Sequence, residues 1–250
     1  MSPSTLRLSG KRALVTGGSR GIGAAIALKL AEDGVAVAIT YEKSADRAEA
    51  VVAEIRALGR NAVAIQANAA SGQAVRSAVD RTVETLGGLD ILVNNAGVSS
   101  SGPLAEMAAE DIDRQIDVNF RGVVLTTQAA LAHIPDGGRI VSIGSSVGER
   151  VAFGGISLYS ATKSALESLT RGLARELGPR EVTVNLVRPG PIDTEMNPKD
   201  GAFAPLVAPS LALGRYGEAR DIAEAVAFLV GPEATYVTGA GLTVDGGANA

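Results

Sequence analysis

The sequence predicts an α/β fold, a single-domain Rossmann-type doubly wound parallel sheet of about seven strands. The first observation is the order of the segments, because short apolar stretches alternate with longer helical patterns. Strands that alternate with helices form parallel sheets with helices on both faces. The second is the composition of 46% hydrophobic residues, 30 glycines and 3% aromatic residues, which suits helices packed closely on a sheet. No repeat or linker marks a second domain, so we expect residues 1–250 to form one domain.

The first half of the chain is predicted to contain four strands and three helices. A glycine-rich turn at residues 17–23 joins the first strand to a helix that continues to Asp33. Gly34 is suited to end that helix because glycine readily adopts the left-handed conformation. Ser44 is placed as the N-cap of the second helix, which Gly59 ends. The predicted strands are residues 12–16, 35–40, 62–67 and 91–94, and the second and third helices are residues 45–58 and 72–86.

The second half continues this alternation with one interruption. Its predicted segments are a helix over 110–133, a strand over 139–143, a helix that carries Tyr159 to residue 177, a strand over 182–187, a helix over 221–230 and a strand over 242–244. Residues 190–213 break the alternation with scattered prolines and apolar residues, and they are too long for an ordinary connection. They are therefore either a lid over a binding site or a disordered loop.

Composition and charge exclude several classes of function. The net charge of −4 and the pI of about 5.2 provide no global positive field for nucleic acid or an anionic membrane. The absence of cysteine excludes disulfides, thiolate zinc sites and cysteine nucleophiles, and a single histidine, His133, cannot form a histidine metal cluster. Residues 1–5 lack the basic start and apolar run of a signal peptide. We therefore expect a cytoplasmic protein with no metal, nucleic-acid or membrane partner.

The glycine turn after the first strand is typical of phosphate-binding sites. Gly17, Gly21 and Gly23 allow the backbone to approach phosphate oxygens, and the helix N-terminus offers unpaired N–H groups. The spacing differs from G-x-G-x-x-G, and the turn lacks the Gly-Lys-Ser/Thr ending of a nucleoside-triphosphate loop. Such glycines also serve simply to pack a helix tightly against a strand, so the turn by itself leaves both interpretations open.

Tyr159 and Lys163 are four residues apart in a predicted helix, so they lie on one face about one turn apart. A phenol with a pKa of about 10 is a poor acid–base group at neutral pH, and a nearby ammonium group lowers that pKa. The hydroxyl of Ser145, fourteen residues earlier, can hold a substrate carbonyl. The alternative is a half-buried tyrosine and a solvated lysine with no chemical role.

Six motifs that occur in register resemble those of the short-chain dehydrogenase/reductase family. In chain order they are Thr16-Gly17-Gly18-Ser19-Arg20-Gly21-Ile22-Gly23, Asn94-Asn95-Ala96-Gly97, Asn119, Ser145, Tyr159-x-x-x-Lys163 and Pro189-Gly190. The resemblance covers essentially the whole chain, to Val244-Asp245-Gly246-Gly247, and is close in pattern to β-ketoacyl carrier protein reductase-like members. It implies one dinucleotide-binding oxidoreductase domain, with the catalytic site and a substrate lid built in.

The resemblance implies a catalytic tetrad of Asn119, Ser145, Tyr159 and Lys163. Tyr159 would exchange a proton with the substrate oxygen, and Ser145 would hydrogen-bond that oxygen. Lys163 would lower the tyrosine pKa and bind the nicotinamide ribose. Asn119 would hold a water that links Lys163 to solvent, or would simply be a packing asparagine with satisfied hydrogen bonds.

Three serines lie close together before Tyr159, so the choice among them needs support. Strand alternation places Ser142 within the sheet, and the Ile-Gly-Ser match points to Ser145. Ser146 remains the second choice.

The end of the second strand indicates NADP(H) rather than NAD as the cofactor. An acidic residue about 20 positions after the first glycine would bind both ribose hydroxyls of NAD, but this position is Tyr41. Arg20, Lys43 and Ser44 can offer charge and hydrogen bonds to a 2′-phosphate. Glu42 stands beside the decisive position and leaves the NAD alternative open.

Other cofactor contacts are implied by the resemblance. Asn68 would accept from the adenine amino group where many family members carry an aspartate, and residues 189–194 would meet the nicotinamide. The predicted cofactor-binding set is Gly17, Ser19, Arg20, Gly21, Ile22, Gly23, Tyr41, Lys43, Ser44, Asn68, Ala69, Asn95, Ala96, Gly97, Tyr159, Lys163, Pro189, Gly190, Ile192 and Thr194.

These features predict a reversible NADP(H)-dependent reductase of a ketone or β-ketoacyl carbonyl, acting as a homotetramer. The alternative is a catalytically silent dinucleotide-binding regulator or assembly subunit, which would not need the tetrad. A sugar-nucleotide epimerase or dehydratase would need a larger C-terminal domain than residues 190–213 provide. The apolar residues that indicate either an apolar substrate pocket or lid packing are Val151, Phe153, Leu158, Phe203, Leu206, Val207 and Leu211.

Overall fold

The computed structural model describes residues 6–202 and 204–250. Residues 1–5 and Phe203, which entered the predictions of localisation and of an apolar pocket, lie outside the described residues. The strands in chain order are β1 (Arg12–Val15), β2 (Ala36–Tyr41), β3 (Ala62–Gln66), β4 (Ile91–Asn94), β5 (Arg139–Ile143), β6 (Thr183–Pro189), β7 (Ile192–Asp193), β8 (Gly217–Glu218) and β9 (Gly241–Val244). Seven of them form one parallel sheet in the order β3-β2-β1-β4-β5-β6-β9. The predicted fold class is confirmed.

The helices follow the predicted alternation. They are α1 (Gly21–Glu32), α2 (Ala45–Ala57), α3 (Gly72–Leu86), α4 (Ala109–Ile116), α5 (Gly122–Ala130), α6 (Ser157–Leu177), α7 (Ala204–Val207) and α8 (Ala219–Val230). The helix predicted over 110–133 is correct in position but not uniform, because a π-helical turn at Asp117–Arg121 joins α4 to α5. It also ends earlier, at Ala130. Such π turns often mark functional positions.

Strand alternation divides the core into two layers. Val15 and Ile39 face one side of the sheet, where α1, α2 and α8 cover them. Leu14 and Leu92 face the other side, where α3, α5 and α6 pack. Because both faces are covered, the central strands carry almost continuous apolar residues, as parallel strands require.

The order of the sheet reverses between β1 and β4, and this reversal positions the site. β2 pairs with one edge of β1 and β4 with the other. Thr16, directly after β1, donates its N–H to the Val93 carbonyl of β4 at 3.0 Å. In parallel α/β sheets, the crevice beyond the strand ends at such a reversal is the usual place of ligand binding.

Two local predictions are refined by the structure. α2 begins at Ala45, but the predicted N-cap interaction of Ser44 is wrong, because its side chain makes no cap hydrogen bond. Within the predicted lid, β7 pairs with β8, and Leu211 is buried with Ala204 and Tyr216. The described part of this segment therefore has defined structure rather than being a disordered loop. No helix in the described ranges is long and apolar enough to cross a membrane.

Candidate active site

The glycine turn has a backbone that only glycine tolerates. Gly17 and Gly21 have φ of 65° and 53°, in the left-handed region. At Gly23, a Cβ atom would lie 2.3 Å from the Gly17 carbonyl oxygen and 2.4 Å from Asn95 Nδ2. At Gly17 and Gly23 the turn therefore packs directly against neighbouring residues, including those that follow β4, with no room for a side chain.

Thr16 and Asn95 tie the turn to β4. Thr16 Oγ1 accepts from the N–H groups of Asn95 and Ala96 at 2.9 and 3.0 Å. Asn95 Nδ2 donates to the carbonyls of Thr16 and Gly17 at 2.8 and 3.1 Å. These bonds hold the predicted cofactor residues 95–97 beside the glycine turn.

The N-terminus of α1 is open to an anion. Its N-cap, Arg20, has an extended backbone and no side-chain cap hydrogen bond, and the first turn carries no acidic residue. The free N–H groups and the positive end of the helix dipole favour a phosphate there. Together with the close glycine backbone, this arrangement fits the pyrophosphate of a dinucleotide.

Tyr159 and Lys163 lie one turn apart near the start of α6. Lys163 Nζ is 5.8 Å from the centre of the Tyr159 ring. It donates to the Ile143 carbonyl at the end of β5, 2.8 Å away. Burial lowers the pKa of Lys163 to about 8, so its charged form still predominates at neutral pH.

Tyr159 as a whole residue is half-buried, but its hydroxyl is desolvated by its surroundings. Burial raises the pKa of Tyr159, and the nearby side chain of Ser145 opposes that rise. Burial therefore determines the direction of the shift, and the predicted lowering of this pKa by Lys163 stays a prediction. The phenol is held protonated at neutral pH.

Of the three candidate serines, Ser145 is the one whose side chain lowers the pKa of Tyr159. It directly follows Gly144 at the end of β5, and its Oγ also accepts weakly from the Val147 N–H at 3.4 Å. Ser142 lies in β5 as predicted and accepts from Asn94 Nδ2 at 3.4 Å. Ser146 is buried. The geometry therefore favours Ser145 over Ser146.

Asn119 is fully buried in the π-helical turn. Its Oδ1 accepts from the Val98 N–H at 2.8 Å, and its Nδ2 donates to the Val98 carbonyl at 2.8 Å and to Thr162 Oγ1 at 3.2 Å. Both amide hydrogens are thus used within the protein, so the side chain behaves as the satisfied packing asparagine. The oxygen atoms of Asn119 are therefore the atoms left to hold the predicted water. This water-binding role of Asn119 stays a prediction.

Gly97 leaves space between the side chains of Lys163 and Asn119. A Cβ at Gly97 would lie 3.4 Å from Lys163 Nζ and 3.5 Å from Asn119 Oδ1. The structure thus brings together the residues after β4, the end of β5, the π-helical turn and the first two turns of α6. All four predicted tetrad residues belong to this cluster.

The predicted phosphate-recognition residues lie at the end of β2 and the start of α2. Tyr41 ends β2, and Lys43 is exposed. Glu42 does not reach toward Arg20, because its carboxylate accepts from Arg114 Nη2 at 2.9 Å. The Asn68 side chain caps its own turn, with Oδ1 accepting from an N–H two residues later.

Sequence reasoning missed Arg47 in the first turn of α2. Arg20 forms an ion pair with Glu195 at 3.0 Å, and Arg47 pairs with the other oxygen of the same carboxylate. Thr194, beside Glu195, has its methyl group 3.5 Å from the position of a Cβ on Gly21. The available signal in the sequence was a basic residue three positions after Ser44, the N-cap of α2.

The predicted nicotinamide segment, residues 189–194, packs against residues near the C-terminus. Pro189 is the last residue of β6, and Ile192 is buried in β7. Gly190 donates to the Val244 carbonyl at 3.0 Å, and a Cβ on Gly190 would lie 2.5 Å from Asp245 Cα. This segment therefore needs glycine for close packing.

A second feature missed from the sequence is the C-terminal turn, residues 245–249. Asp245 accepts from the N–H groups of Gly247 and Asn249 at 2.9 and 3.1 Å. Asn249 Nδ2 then donates to the Ser146 carbonyl at 2.8 Å. Leu213, at the end of the lid segment, donates to the Gly246 carbonyl at 3.0 Å. The turn therefore joins the lid to the Ser145 loop.

The predicted apolar residues separate into two groups. Val151, Phe153 and Leu206 are exposed, whereas Leu211 is buried within the lid segment. The loops before α4 and before α6 are joined by a hydrogen bond from the N–H of residue 102 to the carbonyl of residue 155 at 2.8 Å. Lid packing explains Leu211, and the exposed group remains available to a substrate.

Known proteins share this chain's sequence and fold over almost its full length. A family model described as Enoyl-(Acyl carrier protein) reductase matches residues 17–249. A solved short chain dehydrogenase from Burkholderia cenocepacia J2315 in complex with NADP is 60% identical, with a TM-score of 0.97 over 98% of this chain and 100% of that one.

Two curated relatives carry different names. The 3-oxoacyl-acyl-carrier-protein reductase of Staphylococcus epidermidis is 43% identical over 242 residues, covering 95% of this chain and 98% of that protein. The cyclic-di-GMP-binding biofilm dispersal mediator protein of Escherichia coli is 43% identical over 238 residues, covering 95% and 97%.

Proposed function

The chain belongs to the short-chain dehydrogenase/reductase family, and on that premise we propose that it reversibly reduces a ketone or β-ketoacyl carbonyl to a secondary alcohol with NADP(H). The observation that carries the proposal is the joint position of the three side chains: Lys163 Nζ lies 5.8 Å from the centre of the Tyr159 ring, and Ser145 lowers the pKa of the Tyr159 hydroxyl. A binding protein would not need this arrangement beside its dinucleotide site.

NADPH, when bound, supplies the hydride that adds to the carbonyl carbon. Tyr159 gives its phenolic proton to the carbonyl oxygen, which completes the alcohol. Its raised pKa suits this direction because the phenol is protonated at neutral pH. The Ser145 hydroxyl donates a hydrogen bond to the same oxygen and stabilises the negative charge that develops on it.

Lys163 stabilises the negative charge that the Tyr159 oxygen acquires when it gives up its proton. Its ammonium group, held by the Ile143 carbonyl, faces the tyrosine ring and favours the phenolate that forms. Asn119 fixes the Val98 backbone and, through Thr162, the first turn of α6. We assign it the role of a positioning residue, with the predicted water on one of its oxygens.

Three observations support NADP(H) as the cofactor. The similar Burkholderia structure is a complex with NADP. The position where NAD-dependent enzymes carry an acid is Tyr41, and the neighbouring Glu42 is engaged by Arg114. Arg20 stands at the N-terminus of α1 and offers a positive charge there.

For the substrate we propose an apolar carbonyl compound, with a β-ketoacyl thioester as the leading class. The exposed side chains of Val151, Phe153 and Leu206 support an apolar substrate. The name of the Staphylococcus relative supports the thioester. The test is steady-state turnover with NADPH and NADH across ketones, β-ketoesters and β-ketoacyl thioesters, where we expect NADPH oxidation with at least one class.

The second candidate is a catalytically silent dinucleotide-binding regulator, and the name of the Escherichia coli relative favours it. The same experiment separates the two, because a regulator would bind NADPH in a fluorescence titration but oxidise it with no substrate. Titration with cyclic di-GMP then tests that ligand directly. Absence of turnover together with binding of either nucleotide would support the regulator.

We also propose that the protein is a cytoplasmic homotetramer. The apolar side chains of Ile116 on α4 and of Phe228 on α8 are exposed in the single chain, and burial between subunits would remove them from water. Light scattering during size-exclusion chromatography measures the mass directly. We expect four times the 25.3 kDa of the chain.

A further inference from the structure

Three charged side chains from distant parts of the chain meet at one point. Arg20 of the glycine turn and Arg47 of α2 each contact a different carboxylate oxygen of Glu195, which follows β7. The two arginines are separated by β2 in sequence and brought together only by the fold. Glu195 is the one carboxylate that joins them.

This cluster is solvated and therefore exchangeable. The side chains of Arg20, Arg47 and Glu195 are 58%, 53% and 55% exposed. Exposed ion pairs contribute little to stability. A phosphomonoester carries nearly two negative charges and three strong acceptor oxygens, so it competes well for two guanidinium groups.

The cluster also lies where a ribose 2′-phosphate is expected. In this fold, the ribose of the adenosine half sits beyond the end of the second strand. Arg20 is the N-cap of α1, and Arg47 lies in the first turn of α2, whose N-cap, Ser44, makes no side-chain cap hydrogen bond. The start of α2 therefore adds free N–H groups to the two guanidinium groups.

Two of the acids near the cluster are already paired with other cations, whereas Asp46 lies beside Arg47 in the first turn of α2. Glu42 is paired with Arg114. Asp193, the other acid beside Glu195, is paired with Lys199 at 2.9 Å and accepts its backbone N–H at 3.1 Å. Of these acids, Glu195 is the one that contacts both arginines and therefore competes directly for them.

We propose that Arg47 is a specificity-determining residue that binds the 2′-phosphate of NADP(H) together with Arg20, and that Glu195 competes with the phosphate for both. Glu195 weakens the binding of NADP(H) in particular, because NAD(H) has no group that needs the two arginines. This inference rests on the proposed function for its ligand. It adds two residues that the family motifs do not include.

The test measures dissociation constants of NADP⁺, NAD⁺ and 2′,5′-ADP by calorimetry with the full-length protein. Glu195→Gln keeps the size of the side chain and removes its charge, so we expect NADP⁺ and 2′,5′-ADP to bind about threefold to tenfold more tightly. Arg47→Gln is expected to weaken both by about tenfold or more. NAD⁺ should change by less than about twofold in both variants.

Glu233→Gln is the matched control, because Glu233 is 50% exposed and pairs with Arg7 at 2.9 Å far from the cluster. It should leave all three constants unchanged. In the double variant Arg47→Gln/Glu195→Gln, the gain from Glu195→Gln should shrink, because one of its two competing contacts is gone.

Equal effects on NADP⁺ and NAD⁺, or no effect of either substitution, would overturn the inference. These results differ from failure of the proposed function itself. In that case the unmodified protein would bind neither dinucleotide, or would bind NADP⁺ without reducing any carbonyl compound. Circular dichroism of each variant excludes misfolding as the source of a loss.

Discussion

The two ends of the candidate site are built in opposite ways. At the catalytic end, defined by Asn119, Ser145, Tyr159 and Lys163, polar groups are desolvated and held by backbone carbonyls and N–H groups. At the adenosine-phosphate end, defined by Arg20, Arg47 and Glu195, charged groups are half exposed and pair with one another.

This difference predicts how strongly a substitution at each end should affect activity or binding. Buried groups have few alternative partners, so a change at the catalytic end is expected to abolish a step. Exposed charges exchange one partner for another at small cost. A change at the adenosine-phosphate end is therefore expected to alter ligand preference by degrees.

The strongest test of the catalytic end is Tyr159→Phe. The variant lacks the proton that completes the alcohol, so we expect turnover to fall by about 10²-fold to 10⁴-fold. Its dissociation constant for NADPH should stay close to that of the unmodified protein, because the ring remains. Turnover within a few-fold of normal would show that another group protonates the substrate.

The burial of Lys163 predicts a pH dependence of stability. Its pKa falls from 10.5 to about 8 on folding, so the unfolded chain binds more protons between these pH values and stability rises with pH through that window. The free energy of unfolding of the native protein should therefore gain about 3 kcal/mol relative to Lys163→Met between pH 8 and pH 10.5.

Urea unfolding at several pH values measures this difference. Lys43→Met serves as the control, because Lys43 is exposed and its removal should produce no such trend. A flat difference between the native protein and Lys163→Met would mean that the ammonium group is solvated after all.

The glycine turn is a further test of this comparison. It is tightly packed, although the side chains at the adenosine-phosphate end beside it are exposed. In Gly23→Ala the new Cβ would overlap the Gly17 carbonyl oxygen, so we expect destabilisation by about 1–3 kcal/mol and weaker binding of both dinucleotides. Gly172→Ala is the control, since nothing lies within 4 Å of its Cβ position in α6. It should stabilise the helix by about 0.5–1 kcal/mol.

Thermal unfolding and dinucleotide titration of both variants check this prediction. If Gly23→Ala were as stable as Gly172→Ala, the turn would have to relax by moving away from Asn95. Tight packing would then be a property of the catalytic end alone.

The smallest effect is expected from Asn249→Asp. The substitution keeps the shape but replaces the donor to the Ser146 carbonyl with an acceptor. Loss of one such bond is worth about 0.5–1.5 kcal/mol, so the kcat should fall by a few-fold to about tenfold while the dissociation constant of NADPH stays unchanged. Asn61→Asp, an exposed site at the start of β3, controls for the added charge. A parallel loss in both variants would contradict a positioning role for Asn249.

Most of the fold was predictable because it depends on local patterns. β4, β5 and α3 begin and end at the predicted residues, and α6 ends at the predicted residue 177. The π-helical turn at Asn119 was not predictable, because its signal is a single buried amide that needs the Val98 backbone from another segment.

The candidate site divides in the same way. Motif spacing predicted Gly17, Ser145, Tyr159 and Lys163, since each belongs to a short segment that follows a recognisable strand or begins a helix. Spacing could not predict the pKa of Tyr159. The sequence places a lysine one turn away, but the desolvation that raises the pKa of Tyr159 arises only in the packed structure.

The sequence by itself determined the family, the alternation of strands and helices, and the residue types available for hydride-transfer chemistry. The tertiary structure alone decided that Arg20 and Arg47 share Glu195, and that Asn249 reaches the Ser146 carbonyl. Local patterns are encoded within a few residues of each position. Contacts between residues more than a hundred positions apart depend on how the sheet order and the loops place them, which no local pattern specifies.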